Sequence, residues 1–349
     1  MTEMGNRRET ESYFRQLTES MLKNMPDYVK DYARSIHHSV SPRTLYEYLK
    51  DIGKFLRYVS QKENGYPSLK ELEILDKAYF ENYLIYLERY EENRKEYTND
   101  RASLKRKLSA LRQFFDYLFQ NNLTSNNEIR KVAIPKVHKK QIIRMENKEA
   151  AAFLESVENG TGLSGKSLEY HKKQAVRDTA ICSLMLSTGI RVSECAELNI
   201  NDVDLREYAV HITRKGGDES IVYFSDEAAD KLQDWLVQRQ MMKIPKEEKA
   251  LFLSSRNKRM GVRAMEYMVK KYAKIAVPMK HITPHKLRAT YATELYQTTG
   301  DIYMVADALG HKDVKTTKEH YADLTENRKK QHRNAVSYKT ETGLNSPTN

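Results

Sequence analysis

Leu45, Leu49, Ile52, Leu56 and Val59 recur at steps of three and four residues, the spacing that lines up apolar side chains on one face of an α-helix. The same period returns at Phe80, Leu84 and Leu87, and again at Leu104, Leu108, Leu111, Phe115 and Leu118. Stripes of this kind must bury against one another, so residues 1–124 are expected to form a helical domain. Ser41-Pro42 offers the first stripe a start, with a capping hydroxyl and a proline suited to the first turn. The last of the three helices carries Arg101, Lys105, Arg106, Lys107 and Arg112 away from its apolar stripe. Such a cationic face suits contact with phosphates, and it suits plain solvation as well.

Asn126 and Asn127 break the helical pattern and Pro135 stops a helix from passing through. Lys131, Lys136, His138, Lys139, Lys140 and Arg144 make the same stretch basic. Residues 125–144 are therefore expected to be a basic hinge, either an inert connector or the joint of a clamp that closes on a duplex. A second domain is expected over 145–332 and a polar tail over 333–349. In the second domain Asn147 is a candidate cap for a short helix at 149–157, and 159–167, rich in Gly and Ser, is expected as a loop. An apolar helix follows at 175–186 and ends at Thr188-Gly189. The period then changes. Residues 210–213 and 221–224, separated by Gly216-Gly217, are expected to form a β-hairpin. Further helices are expected at 227–240, 262–276, 285–297 and 302–309. The fold class is mainly α, with a small antiparallel β-sheet in the second domain.

The chain has 349 residues and a formal net charge of +11, an excess that favours a polyanionic partner, most simply nucleic acid. Cys182 and Cys195 both lie in apolar helical patterns, which excludes a disulfide framework or a cysteine metal site and fits a reducing cytoplasm. The opening MTEMGNRRETESYF has no apolar signal region, and no run approaches the roughly eighteen apolar residues of a membrane helix. A soluble cytoplasmic protein is expected.

Four segments bear chemistry: STGIRVSE at 187–194, TRKGG at 213–217, TPHKLRATYATEL at 283–295 and LGHKDVKTTKEHY at 309–321. Arg191 follows Gly189 at a helix start and can grip two phosphate oxygens, with Glu194 one turn on to orient it. By itself the pair would serve equally as a surface ion pair. His285 and Arg288, three apart, share a helix face and would aim an imidazole and a guanidinium at one point. Lys215 sits at the hairpin tip, where it could enter a DNA groove or protonate a leaving alkoxide; hairpin tips are also simply rich in Lys and Gly. His311 follows Leu309-Gly310, where the glycine ends a helix. Tyr321 is one of 23 tyrosines, yet a tyrosine becomes a workable nucleophile when cations hold the target phosphate. The set lacks a carboxylate cluster or a metal-ligand spacing, so no metal or cofactor is expected.

In order and spacing these segments resemble the tyrosine recombinase (phage integrase) family across the whole second domain. NDRASLKRKLSALRQFFDYLF is similar to the last long helix of that family's core-binding domain, and MPDYVKDY with TLYEYLKDIGKFLRYV resembles single-protein members of its Xer group. The resemblance implies that Arg191 and Arg288 clamp the scissile phosphate and that Lys215 protonates the 5′-hydroxyl leaving group. His285 and His311 would assist proton movement, and Tyr321 would attack to give a 3′-phosphotyrosine. It also implies a double-stranded DNA recombination site as partner, a homotetramer with a dimer on each site, and a cell-division DNA translocase as activator. The first part of the tail would dock on a neighbouring subunit. Two departures stand out. Ten positions separate His311 from Tyr321 where nine are usual, which makes His320 the nucleophile's neighbour, and Ala289 replaces a common histidine. Chromosome dimer resolution, integration of a mobile element and non-catalytic DNA binding are the biological roles compatible with these residues.

Overall fold

The computed structural model describes residues 7–60, 65–92, 94–136, 142–214, 217–245, 248–310 and 313–314. These divide into two compact units, the described residues before position 137 forming one and those after 141 the other. Among the described residues, no helix is long and apolar enough to cross a membrane.

The first unit contains helices α1 (Arg7–Leu22), α2 (Asp27–Ile36), α3 (Pro42–Ser60), α4 (Leu69–Glu73) and α5 (Lys77–Glu88), then strands β1 (Arg89–Glu92) and β2 (Lys95–Thr98), then α6 (Arg101–Gln120). The expected stripes are its core: Leu49, Ile52 and Leu56 of α3 meet Phe80 and Leu87 of α5 and Leu108, Phe115 and Leu118 of α6. Ser41 starts α3 as expected, its hydroxyl accepting the Thr44 N–H at 3.2 Å. The β1–β2 hairpin was not legible, because RYEE and KEYT alternate charge with tyrosine rather than with aliphatic residues. Its strands pair antiparallel with Tyr90 opposite Tyr97. Those rings stack at 5.3 Å, and the Lys54 ammonium sits 3.6 Å from the centre of the Tyr90 ring.

The expected hinge needs correction at its start. A short 3-10 turn at Glu128–Lys131 folds back onto the first unit, and Ile129 and Val132 lie in its core. Asn126 donates to the carbonyls of Glu73 and Leu75, both at 2.6 Å. The polar and basic composition of 125–144 masked these two apolar anchors. At the other end, the Met145 N–H donates to the Thr290 hydroxyl at 3.0 Å, so this residue already belongs to the second unit.

The second unit contains α7 (Asn147–Asn159), α8 (Gly165–Thr188), α9 (Val192–Glu197), strands β3 (Val203–Asp204), β4 (Ala209–Thr213) and β5 (Glu219–Tyr223), then α10 (Asp226–Gln240), α11 (Val262–Ala276), α12 (Pro284–Thr299) and α13 (Ile302–Leu309). The three strands form one antiparallel sheet in the order β3-β4-β5. Asn147 is the first residue of its helix rather than the cap; the Glu146 N–H before it is satisfied by Glu149 Oε2 at 2.7 Å. Helix α8 begins ten residues before the expected start. It starts within the expected loop at 159–167, and on its polar first half His171 is buried and bonded to the Tyr272 hydroxyl at 3.0 Å. That hydroxyl donates to Asp178 at 2.9 Å, and Asp178 also accepts from Arg177 at 2.6 Å. A buried polar chain thus ties α8 to α11, each polar group finding the partner that burial requires.

Candidate active site

The site begins where α8 stops. Residues Ala180–Cys182, Leu184 and Met185 are fully buried, so the end of this helix is set within the core. Gly189 terminates it in the left-handed region at φ +63°, its N–H returning to the Met185 carbonyl at 3.0 Å. This is the conformation that glycine adopts without cost. A Cβ here would lie 2.3 Å from the Tyr291 ring. Gly189→Ala is therefore expected to destabilise the second unit by about 1–3 kcal/mol, read as a lowered denaturation midpoint. Gly165→Ala is the control: it shares a positive φ of +53° but nothing lies within 4 Å. Equal losses at both positions would show that the Tyr291 contact is unimportant.

Ile190 is buried and Arg191 is extended, launching α9. Glu194, one turn on, holds Arg191 at two points. Its Oε1 accepts from the guanidinium at 2.7 Å, and its Oε2 accepts from the Arg191 backbone N–H at 2.7 Å. The Glu194 side chain is 3 % exposed and that of Arg191 is 34 % exposed. One edge of the guanidinium is thus locked by a buried carboxylate while the remainder reaches solvent, where an anion can meet it. Glu194 thus contacts Arg191 through both carboxylate oxygens.

Arg288 is buried on α12, where Pro284 occupies the first turn. Its guanidinium donates to the Gly189 carbonyl at 2.6 Å and to the Leu309 carbonyl at the end of α13. It thereby joins the turn that presents Arg191 to the helix end that precedes His311. His285 lies one turn earlier on α12 and is exposed. Arg191, Glu194 and Arg288 are thus brought to one place. Lys215, His311 and Tyr321 lie outside the described residues, as do Lys139 and Lys140.

A third arginine escaped sequence reasoning. Arg214, the last residue before Lys215, is buried and sends its two terminal nitrogens to the carbonyls of Leu309 and Ala308, each at 3.1 Å. It also lies 3.9 Å from Glu194. Burial lowers its pKa, Glu194 opposing the effect and Arg191 adding to it. In TRKGG only the lysine looked chemical. The arginine beside it gave no signal of its own, since its partners are 94 and 95 residues away.

The basic face of α6 divides in two. Arg101 and Lys105 are exposed. Arg106 instead pairs with the buried Asp51 of α3 at 2.6 Å, beside Lys107 at 2.9 Å. Arg112 donates to the carbonyls of Arg130 and Val132. Of the cationic face, neither wholly solvated nor wholly open to phosphate, part is taken by a buried carboxylate and by the carbonyls at a 3-10 turn. One helical stripe could not reveal those partners.

The phage integrase family profile matches residues 143–328, and that of the phage integrase N-terminal SAM-like domain matches residues 29–122. The chain is 33% identical over 328 residues to tyrosine recombinase XerS of Streptococcus mutans, covering 84% of this chain and 90% of that protein. It is 33% identical over 217 residues to tyrosine recombinase XerC of Psychromonas ingrahamii, covering 62% of this chain and 68% of the relative. Among solved structures, XerH recombinase in a post-cleavage complex with its difH substrate aligns with a TM-score of 0.65 at 18% identity, over 87% of this chain and 94% of that one. The Tn1549 transposon integrase in complex with a circular-intermediate DNA aligns with a TM-score of 0.61 at 15% identity, over 88% and 99%.

Proposed function

Since the chain belongs to the phage integrase family and is a tyrosine recombinase, we propose that Arg191 and Arg288 hold the scissile phosphate of a double-stranded DNA site while Tyr321 attacks it. In that step the phenolic oxygen bonds to phosphorus, the bond from phosphorus to the 5′-oxygen breaks, and Lys215 gives that oxygen its proton. His285 and His311 take up the phenolic proton and steady the phosphate. The product is a 3′-phosphotyrosine and a free 5′-hydroxyl. One phosphodiester has been exchanged for another, so attack by a 5′-hydroxyl from a partner strand reverses the chemistry and rejoins DNA in a new pairing. The observation that carries this reading is the locked Arg191–Glu194 pair joined through Gly189 to Arg288. Two preorganised guanidiniums can meet the charge that builds on the phosphate oxygens without rearranging during reaction.

The enzyme works as a homotetramer, a dimer on each of two sites, passing through a Holliday junction. It acts in the cytoplasm to resolve chromosome dimers, with a cell-division DNA translocase as activator. Relatives named XerS that match over most of the chain support this role. The fold shared with the Tn1549 transposon integrase supports the second reading, integration or excision of a mobile element. A nicked suicide duplex tests the chemistry: wild-type protein should become covalently attached to the 3′ end. A plasmid with two cognate sites should resolve into two circles. Binding without any adduct would leave a non-catalytic DNA-binding protein, and relaxation of supercoiled plasmids lacking a site would mean a topoisomerase. A cognate site in the chromosome terminus supports dimer resolution, and one at the ends of a mobile element supports integration.

With 59 Lys and Arg against 48 Asp and Glu, the logarithm of the affinity for duplex DNA should fall linearly with log salt. The expected slope is about −0.9 per phosphate neutralised. A flat response in a salt titration would remove the cationic surface from the DNA interface.

A further inference from the structure

We infer that Arg214 is a positioning residue for strand cleavage, one that sets the end of the β4–β5 hairpin against the C-terminal turn of α13. The inference rests on the recombinase chemistry proposed above. Arg214 is the last paired residue of the hairpin: its N–H donates to the Asp218 carbonyl at 2.7 Å, and its carbonyl accepts from Gly217 at 3.0 Å. Its side chain leaves the sheet and forks across the Ala308 and Leu309 carbonyls at the end of α13. These carbonyls carry the partial negative charge of a helix C-terminus, so a guanidinium suits them. Leu309 accepts from Arg288 as well, and Glu194 lies between Arg214 and Arg191. One buried cation therefore links three elements that each present a proposed site residue.

Gly310 completes the contact. It sits at φ +60°, and a Cβ on it would fall 2.6 Å from Arg214 Nε. That Nε is buried and, among the described residues, makes no hydrogen bond. Lys215 follows Arg214 and His311 follows Gly310, and successive Cα atoms are about 3.8 Å apart. Arg214 and Gly310 are thus the sequence neighbours of the proposed general acid and of a proposed phosphate-contacting histidine, so loss of the contact between them is expected to disturb proton delivery. A misplacement of about 1 Å at a reacting group can slow a reaction about 100-fold.

The test compares two suicide duplexes, one with the normal 5′-oxygen at the scissile phosphate and one with a bridging 5′-sulfur. A thiolate leaves without a proton, so the sulfur substrate is indifferent to where Lys215 stands. Arg214→Ala and Arg214→Gln are expected to slow single-turnover cleavage of the oxygen substrate about 10- to 100-fold and to slow the sulfur substrate much less, so that the sulfur-to-oxygen rate ratio rises above that of the wild type. Arg214→Lys, which keeps the charge but loses the fork, should fall between. The sulfur-to-oxygen rate ratio is measured within each variant, so a reduced folded fraction cancels from it. Equal slowing of both substrates, or no slowing of either, overturns the inference. Failure of the wild-type protein to cleave either substrate would overturn the recombinase chemistry instead.

Discussion

Tyr321→Phe is expected to bind its DNA site as tightly as the wild-type protein and to form no covalent adduct on a suicide duplex. Phenylalanine keeps the ring and removes the oxygen that must bond to phosphorus, so cleavage should drop to background, a loss of about 10⁴-fold or more. A rival has to be excluded, because the chain holds 23 tyrosines. Tyr291 is that rival. It lies one turn beyond Arg288 on α12, its ring covers Gly189, and Arg288 and Arg214 both pull its pKa down against the upward push of burial. Burial wins, and the ring is committed to packing on the α8 turn. Tyr291→Phe should therefore retain adduct formation with little change in rate. Gel analysis of both variants on one labelled duplex decides the matter: an adduct with Tyr321→Phe, or its loss with Tyr291→Phe, transfers the nucleophile. Finding the label on His320 in the wild type would mean that the extra residue in this segment had shifted the attacking group.

The helical framework was open to reading because its apolar residues obey one period. Leu49, Ile52 and Leu56 could only be buried if α3 existed. The hairpin at 209–223 showed itself by its change of period and its glycines. What stayed hidden shares one physical cause: partners remote in the chain. Asp51 redefines Arg106 and Lys107 from 55 and 56 positions away. Tyr272 draws His171 into the interior from 101 positions away. Arg214 gave no signal in TRKGG, because the carbonyls it bonds lie 94 and 95 positions away at the end of α13. At the site, Glu194 and Arg191 were legible since both fall within one helical turn. The nearness of Arg288 to Arg191 was implied by family resemblance alone, and the bond from Arg288 to the Gly189 carbonyl was not implied at all, because 99 positions separate donor from acceptor.

That asymmetry yields the second large expectation, in which two arginines with the same proposed task differ in what they do for the fold. Arg191→Ala should reduce cleavage about 10³-fold or more while shifting the denaturation midpoint little, by about 1 kcal/mol or less. Two guanidiniums, those of Arg191 and Arg214, face the single carboxylate of Glu194. Losing the more exposed one relieves like-charge repulsion, and Glu194 keeps the Arg191 backbone N–H and Arg214. Arg288→Ala should lose comparable activity and also about 2–4 kcal/mol of stability, because two buried carbonyls, Gly189 and Leu309, lose a charged donor and a cavity opens beneath the α8 turn. Denaturant unfolding of both variants, beside single-turnover cleavage and duplex affinity, separates the two contributions. Should Arg191→Ala unfold as readily as Arg288→Ala, its exposed guanidinium edge would be structural after all. Should its affinity for DNA fall in step with its cleavage rate, Arg191 would be gripping ground state and transition state alike, and the case for it as a phosphate clamp in catalysis would fail.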